Sequence, residues 1–287
     1  MTILPVSDSY HYCEQTARRE AGNFYHAFRV LPRRQRQAMC ALYAFLRLTD
    51  DLGDGPGSAE EKRALLVDWR QRFERALDGD YSHPLHPAFH HTIRLHGIPA
   101  RYLQDVIDGV EMDLHITRYR TFADLYQYCY RVASAVGLAC IHIWGFEDQR
   151  AKEYAESAGI AFQLTNILRD LGEDAGRGRV YLPVEDLDRF RYPAEKLVSG
   201  TQDECFRSLM RFQIERARHY YDASQPLAGL LPPAGRAVYL VMSRTYRGLL
   251  DAIERRDYDV FSGRVSLSHW RKLGLVVQAL PVRLGWV

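Results

Sequence analysis

Apolar residues recur every three or four positions along most of this chain, which is the spacing of one buried face of an α-helix. Sustained alternation of apolar and polar residues, which marks a half-buried strand, is absent. Helix-start signals fit this pattern, because Pro32 precedes one apolar segment and Ser58 to Glu61 form a capping-box pattern before another. The pattern therefore predicts an all-α protein.

We expect about ten helices in the chain. The clearest are predicted over 121–144, 148–171, 202–226, 233–256 and 266–280, and the one long polar break over 172–183. No linker rich in Ser, Pro or Gly divides the chain, and no sequence repeat is present. Residues 1–287 are therefore expected to form a single helical domain, large enough to bury a core without disulfides.

Composition excludes few classes of function. The chain has 38 Lys and Arg against 36 Asp and Glu, so its net charge of +2 gives no reason to expect a nucleic-acid partner. Five cysteines without a Cys-x-x-Cys pair are typical of buried thiols in a reducing compartment, and no signal peptide is evident, which predicts a cytoplasmic protein. The apolar tail 273–287 is expected to pack as a C-terminal helix, with contact to a membrane surface as the alternative.

The placement of the acidic residues is more informative than their number. Asp50 and Asp54 are four residues apart at the end of a predicted apolar helix, so both lie on one face with Cβ atoms about 5–6 Å apart. Two carboxylates at a helix C-terminus repel each other and oppose the helix dipole, so folding alone does not explain them. A bound cation would explain them, and the adjacent Asp51 is a further candidate ligand.

A second acidic cluster repeats this spacing. Asp170 and Asp174 follow another apolar helix, with Asn166 one turn before Asp170 and Gln163 about one turn earlier. Oxygen ligands without nearby Cys or His suit Mg²⁺, which usually completes its shell with substrate phosphates. The two clusters together predict a Mg²⁺ site for a phosphorylated ligand, built from two helices that face each other across a cavity.

Arginines accompany both clusters. Arg47 and Arg169 adjoin the aspartates, and Arg177 and Arg179 lie in the polar break. Each could bind a phosphate oxygen, or it could neutralise a neighbouring aspartate, and both can hold at once.

Two further groups of polar residues are less specific. Glu111 and Asp113 form a third acidic pair that is as compatible with a surface turn as with a functional site. The five histidines from His83 to His96 are expected to lie on a solvated helix rather than to bind a metal. Neither group changes the prediction of a phosphate-binding bundle.

Five segments of the chain, 43–54, 128–137, 163–174, 177–183 and 258–264, resemble motifs of the squalene/phytoene synthase family. The resemblance covers nearly the whole chain. It implies an isoprenoid-synthase helical bundle with a central cavity, and a Mg²⁺-dependent head-to-head (1-1′) condensation of two prenyl diphosphates. The sequence departs from the family at Ala21-Gly22-Asn23, where many members carry Ser-Lys or Ser-Ser.

The resemblance implies a role for each matching residue. The metal ligands it implies, with Asp51 as a further candidate, are Asp50, Asp54, Asn166, Asp170 and Asp174. The catalytic group comprises Asp50 and Asp170, the diphosphate-contacting Arg47 and Arg169, and Tyr128, which would guide proton loss. The substrate-binding residues, which include the two arginines of the polar break, are Phe24, Phe28, Tyr43, Asp113, Gln163, Arg177, Arg179 and Arg264.

The expected reaction joins two farnesyl diphosphates into presqualene diphosphate or squalene through a cyclopropylcarbinyl diphosphate, as in bacterial hopanoid-pathway enzymes. The alternative is a phytoene synthase that acts on geranylgeranyl diphosphate. Chain length, the use of NADPH, the oligomeric state and peripheral membrane association for release of a lipid product stay open at this point.

Other classes fit the sequence less well. A head-to-tail prenyltransferase or a terpene cyclase would share the motif Asp50-Asp-Leu-Gly-Asp54, but the second cluster does not match theirs. A carboxylate-bridged di-iron bundle would need Glu-x-x-His pairs, which the sequence lacks. The remaining alternative is a non-enzymatic helical interaction protein whose acidic residues are only surface.

Overall fold

The computed structural model of the protein describes residues 4–20 and 23–285, and within them it consists of helices and connecting loops. In chain order the helices are α1 (Val6–Glu20), α2 (Asn23–Phe28), α3 (Arg33–Asp54), α4 (Ala59–Leu77), α5 (His86–His96), α6 (Ala100–Met112), α7 (Phe122–Cys129), α8 (Ala135–Trp144), α9 (Ala151–Gly176), α10 (Val184–Arg189), α11 (Glu195–Val198), α12 (Glu204–Ser224), α13 (Leu227–Leu230), α14 (Pro233–Arg255) and α15 (His269–Arg283). A π-helical turn, Tyr130–Ser134, joins α7 to α8.

The prediction of an all-α fold is confirmed. The described residues contain no strand, and their β-type pairing is limited to one isolated bridge between Arg118 and Val180. The helix predicted over 121–144 is interrupted by the π-helical turn, and the helix predicted to end near 171 continues to Gly176. The predicted break at 172 was therefore wrong. Within this helix the missing side chain of Gly172 leaves room for Phe261, whose Cδ1 lies 2.9 Å from where a Cβ would stand.

Two hydrophobic cores flank the centre of the bundle. The first surrounds α3 and includes α1, α5, α6 and α8, and the second surrounds α9 and α12. The partly buried Tyr130 and Phe162 pack against both cores. Because α3 packs on α6 and α8 while α9 packs on α8 and the π-helical turn, the C-terminal halves of α3 and α9 border the same interior space.

The π-helical turn is held by close backbone contacts on two sides. A Cβ at Gly159 of α9 would overlap the backbone of Ser134 and lie 2.7 Å from its Oγ. A Cβ at Gly109 of α6 would lie 3.0 Å from the Cβ of Arg131. The Ser134 hydroxyl also donates to the carbonyl of Glu156 at 2.7 Å. The turn is therefore fixed between α6 and α9, next to the residues that line the interior space.

The histidine group differs from its expectation at two residues, because His83 lies in the loop before α5 and His86 lies in the core. His86 is 1% exposed, stacks at a tilt on Trp69 with ring centroids 5.4 Å apart, and accepts a hydrogen bond from the backbone N–H of Ser82 at 3.3 Å. Burial lowers the pKa of His86 to about 4. The solvated-helix prediction was therefore wrong for His86, which is a neutral core residue.

The cysteines follow their prediction, and the C-terminal segment follows its prediction only in part. All five thiols are free, and four are buried while Cys205 is partly buried. The C-terminal segment forms a helix, α15, but the prediction that this helix is packed was wrong for the apolar residues Leu273, Val277, Leu280 and Leu284, which are 41% to 57% exposed. Among the described residues no helix combines the length and the apolar character needed to cross a membrane.

The close approach of α9 to the π-helical turn can be tested by adding one methyl group. We expect Gly159→Ala to destabilise the protein by about 1–3 kcal/mol, because the new Cβ overlaps backbone atoms that cannot move separately from α8. The measurement is the midpoint of urea unfolding. The matched control is Gly176→Ala at the end of the same helix, where no atom lies within 4 Å, and it should be neutral or stabilising by up to about 1 kcal/mol. Equal stability of the two variants would contradict the packing argument.

Candidate active site

The first aspartate cluster ends an amphipathic helix that is anchored in the core. Thr49 is fully buried, donates to the carbonyl of Phe45 at 2.9 Å and accepts from the indole N–H of Trp69 at 2.9 Å. This anchoring fixes the last turns of α3. It leaves Asp50, the next residue, facing the interior space.

That space is a cavity of about 480 Å³. Polar groups gather along one part of its wall, and the rest is apolar or aromatic. Its polar lining residues are Tyr43, Arg47, Asp50, Asp113, Tyr128, Gln163 and Asn166. With Phe28, which also lines the cavity, eight of the predicted site residues therefore meet although they lie up to 138 positions apart in the sequence.

Asp50 and Asp51 point in different directions. The Asp50 carboxylate is reached by solvent through the cavity, yet burial among the cavity walls raises the pKa of Asp50 to about 7, with the charge of Asp54 as the next cause. Asp51 instead forms an ion pair of 2.6 Å with Arg47 and does not line the cavity. The Nε of Arg47 is buried and has no partner among the described residues. Arg47 therefore keeps a donor available on the cavity side.

The second cluster is already partly neutralised. Arg169 binds the Asp170 carboxylate with both nitrogens of its fork, and Arg264 binds the same carboxylate at 2.9 and 3.2 Å from 94 positions away in the sequence. Burial by itself would raise the pKa of Asp170, but the hydrogen bonds and charges of the two arginines outweigh it and hold the pKa below its ordinary value. The two arginines also line a second cavity, of about 280 Å³.

Asp174 and Asn166 have side-chain oxygens whose charge or hydrogen-bonding capacity is not fully satisfied. Burial raises the pKa of Asp174 to about 7, and the neighbouring Asp170 charge is the next cause. The Nδ2 of Asn166 donates to Gln163 at 3.3 Å, while its buried Oδ1 has no partner among the described residues. A carbonyl oxygen in this position is an available ligand for a cation or a donor group.

The two arginines of the polar break point in different directions, as Asp50 and Asp51 do. Arg179 turns inward, with Nη1 lying 3.9 Å from the Asp54 carboxylate of the first cluster. Arg177 pairs with Glu173 at 2.8 Å on the outer surface. The structure therefore brings Arg179 to the cavity region and leaves Arg177 outside it.

Asp113 links two tyrosines at the inner end of the cavity. The hydroxyls of Tyr128 and Tyr181 donate to its two carboxylate oxygens at 2.9 and 2.8 Å. Burial raises the pKa of Asp113, which the two hydrogen bonds and Arg179 only partly oppose, and burial raises the pKa of Tyr128 well above its ordinary range. Tyr128 is therefore held as a neutral phenol that donates a hydrogen bond to a carboxylate.

Sequence reasoning missed several residues of the site. Tyr181 lies inside the quoted 177–183 motif, so its position beside two arginines was an available signal. Tyr246 lines the second cavity beside Arg169, but it lies in the middle of an amphipathic helix and gave no local signal. Val132, Val136 and Met242 form apolar wall and look like ordinary core in the sequence.

The aromatic positions are only partly described. Phe28 is buried, lines the main cavity and meets Tyr43 edge-on with ring centroids 6.5 Å apart. The backbone of Phe24 lies in α2, but its side chain falls outside the described residues, as do Ala21 and Gly22 of the segment that departs from the family.

The donor chemistry fits a hard divalent cation, although no preformed cage is present. Among residues 4–20 and 23–285, no group of three or more His, Cys, Asp or Glu side chains converges on a metal position. The unpartnered Oδ1 of Asn166 and the raised pKa values of Asp50 and Asp174 nevertheless identify oxygen atoms that lack a positive partner. Mg²⁺ is usually held in this way, by a few carboxylates that a substrate phosphate completes.

The sequence profile of the squalene/phytoene synthase family matches residues 17–271. The chain belongs to this family. A 15-cis-phytoene synthase of Synechococcus elongatus is 39% identical over 94% of this chain and 92% of the relative, and a phytoene synthase of Arthrospira platensis is 41% identical over 93% and 91%. A solved dehydrosqualene synthase with bound ligand superposes with a TM-score of 0.88 at 29% identity, covering 96% of both chains.

Membership of the squalene/phytoene synthase family settles the coarse function. The chain is a prenyltransferase that joins prenyl diphosphates head to head, in a family that depends on divalent metal. The non-enzymatic, head-to-tail and cyclase alternatives are thereby set aside. The relatives in sequence are phytoene synthases, which favours the alternative reading of the substrate over the expected C15 reaction.

A thermal-shift measurement tests whether the cavity binds metal and diphosphate together. We expect Mg²⁺ plus inorganic diphosphate to raise Tm by about 5 °C at saturation, and either one alone to raise it much less, because neither completes the ligand shell. Asp50→Asn should abolish the shift. The matched control Asp51→Asn changes a neighbouring carboxylate that points away from the cavity, and it should retain the shift. Loss of the shift in both variants, or in neither, would contradict the assignment.

Proposed function

We propose that this prenyltransferase condenses two molecules of geranylgeranyl diphosphate head to head into a C40 product of the phytoene type. One observation carries the proposal. Asp50 and Asn166, one from each acidic cluster, line the same cavity, whose remaining wall is apolar. This combination suits a substrate with a diphosphate head and a long hydrocarbon tail. We also propose that the whole chain, 1–287, works as one domain, because both cores border this cavity.

The two clusters would hold Mg²⁺ through oxygen ligands. The proposed ligands are Asp50, Asp54, Asn166, Asp170 and Asp174, and Asp51 is left out because it faces Arg47. When bound, the metal stabilises the charge of the departing diphosphate. Arg47, Arg169 and Arg264 donate to the same phosphate oxygens, and the forks that now hold Asp170 keep further N–H groups for a second acceptor.

Departure of the diphosphate leaves an allylic cation that the C2=C3 double bond of the second substrate attacks. Phe28 and Tyr43 offer aromatic faces to this cation, and the apolar wall excludes water that would otherwise capture it. Loss of one proton then closes the cyclopropyl ring of the intermediate diphosphate.

Tyr128 is the proposed acceptor of that proton. Its phenol is neutral, so its oxygen takes the proton only as its own hydrogen passes to the Asp113 carboxylate, 2.9 Å away. The raised pKa of Asp113 favours this transfer. Tyr181 donates to the other oxygen of Asp113 and fixes the carboxylate in the plane that receives the proton.

Connected apolar space supports the longer substrate. Beyond Gln163 and Asn166, a further cavity of about 190 Å³ shares wall residues with the main one and ends near Trp144 and Leu227. Small side chains, among them Ala133 and Ala158, keep this space open. A C20 tail is one isoprene unit longer than a C15 tail, so this extension favours geranylgeranyl diphosphate.

A C20 substrate also affects which cofactor the reaction needs and where the product goes. A phytoene-type product forms by a second ionisation and a final proton loss, so the proposal includes no role for NADPH. The product is a hydrocarbon that water does not dissolve, so we propose that the protein works in the cytoplasm at a membrane surface, where the product can leave into lipid.

The proton relay is tested by removing one hydroxyl at a time. Tyr128→Phe should lower kcat by about 10²-fold or more, because the intermediate can no longer lose its proton to a positioned acceptor. Tyr119→Phe is the matched control, since the Tyr119 ring stacks 5.5 Å from that of Tyr128 but its buried hydroxyl has no partner among the described residues. It should keep kcat within about threefold and lose no stability. Wild-type turnover by Tyr128→Phe would remove the residue from the mechanism.

Substrate length is tested with both diphosphates, with Mg²⁺, and with and without NADPH. Wild-type kcat/KM should be higher for geranylgeranyl than for farnesyl diphosphate, with no effect of NADPH. Ala133→Leu fills the extension and should lower kcat/KM for the C20 substrate by about tenfold while changing the C15 value much less. Ala123→Leu adds the same side chain on the exposed surface of α7 and should change neither. A wild-type preference for farnesyl diphosphate would overturn the proposal and restore the C15 reaction.

A further inference from the structure

The C-terminal helix α15 presents an apolar stripe to solvent. The members of this α15 stripe are 41% to 82% exposed and follow one another at intervals of three and four residues: Trp270, Leu273, Val277, Leu280 and Leu284. That spacing places all five on one side of the helix. Single exposed apolar residues are common on proteins, but a contiguous row of five marks an interaction surface.

The other side of α15 is packed. A Cβ at Gly248 of α14 would lie 3.3 Å from the guanidinium of Arg271, and Ala279 is 2% exposed. The helix is therefore seated on α14 through a different set of residues. The α15 stripe is left without a partner among the described residues of the chain.

The charge around the stripe selects its occupant. Helix α15 contains Arg271, Lys272 and Arg283 and no acidic residue. A second copy of the helix would bring basic residues against basic residues, because the helix itself offers no Glu or Asp and the nearby Asp251 of α14 already pairs with Arg271 at 4.0 Å. An anionic surface meets no such repulsion. An amphipathic helix with Trp and Leu on one side and basic residues flanking it is the type that lies in a lipid headgroup layer.

A second basic segment lies near the start of this helix. The basic turn 29–34 comprises the connection between α2 and α3 and the first two residues of α3. Its Arg29, Arg33 and Arg34 are exposed and take part in none of the ion pairs formed by the described residues. Ala27, two residues before the turn, lines the same 280 Å³ cavity as Leu267, two residues before α15. The basic turn and α15 therefore begin beside one cavity, whose wall also contains Arg264 of the candidate active site.

We propose that the α15 stripe, with the basic turn 29–34, is the surface by which this enzyme docks on a bilayer containing anionic lipid. This inference rests on the proposed function, because a hydrocarbon product gives the enzyme a reason to lie on lipid. The apolar row enters the interface, and the exposed Arg29, Arg33, Arg34 and Arg283 bind the headgroup phosphates. The cavity that ends at Leu267 then lies beside the membrane.

Co-sedimentation with vesicles tests the docking, using the whole protein without substrate. Wild type should bind phosphatidylcholine vesicles that contain phosphatidylglycerol, and should bind them more weakly in high salt or without phosphatidylglycerol. Leu273→Ser/Val277→Ser removes two residues of the stripe that are 53% and 55% exposed, and should weaken binding about tenfold. The matched control is Leu95→Ser/Val198→Ser, at positions 57% and 65% exposed on other helices, which should bind as wild type does.

Fluorescence gives a second readout. In a Trp286→Phe protein, vesicles should shift the emission to shorter wavelength, and adding Trp270→Phe should remove most of that shift, because the two remaining tryptophans, Trp69 and Trp144, are buried in the core. Equal vesicle binding by wild type and Leu273→Ser/Val277→Ser, or no binding by wild type, would overturn the proposal. The proposal would also be overturned if sedimentation velocity showed that the wild-type protein is a dimer, that Leu273→Ser/Val277→Ser is a monomer, and that neither protein binds vesicles.

Turnover in detergent micelles separates this inference from the proposed function. Leu273→Ser/Val277→Ser should condense prenyl diphosphates there at the wild-type rate, since neither side chain lines a described cavity. A wild-type protein that binds vesicles but releases no diphosphate from geranylgeranyl diphosphate would refute the proposed function and leave the docking surface intact. Turnover without vesicle binding would refute only the docking.

Discussion

Repulsion between carboxylates at the ends of α3 and α9 is the constraint on which the rest of this structure depends. Each pair is four residues apart, near a helix C-terminus whose dipole also disfavours negative charge. Asp170 is compensated by two arginines, whereas burial first, and the charge of the neighbouring aspartate next, raises the pKa values of Asp50 and Asp174 to about 7. A divalent cation at the proposed site would supply the positive charge that these two carboxylates lack.

The bundle has to tolerate this deficit while the site is empty, and the core supplies the means. Thr49 ties the last turns of α3 to Trp69, and Gly159 lets α9 lie directly against the π-helical turn. These contacts are apolar or fully hydrogen-bonded, so the free energy they contribute does not depend on what occupies the cavity. The acidic residues can then remain where folding alone would not keep them.

The same low-dielectric wall serves the proposed chemistry in two ways. It strengthens the attraction between arginine, metal and diphosphate, and it keeps the phenol of Tyr128 neutral beside Asp113. A neutral phenol held against a carboxylate moves a proton without creating an isolated charge in the cavity. Ionisation of the substrate and loss of the proton would therefore both depend on one property of the site, the low dielectric of its apolar wall.

The sequence alone determined the local features of this protein. Helical periodicity gave the all-α fold, and the spacing of Asp50 with Asp54 and of Asp170 with Asp174 gave the two clusters, because both depend on residues within a few turns of one helix. The motifs gave the family for the same reason.

Only the tertiary structure decided which side chains share the cavity. Asp51 and Arg177 carry the right chemistry but face outward, whereas Arg264 reaches Asp170 from 94 positions away. Tyr181 and the exposed row on α15 likewise became visible only once the helices were packed. Orientation about a helix axis near its end, and contact between distant segments, are set by packing against neighbours, and no local pattern encodes them.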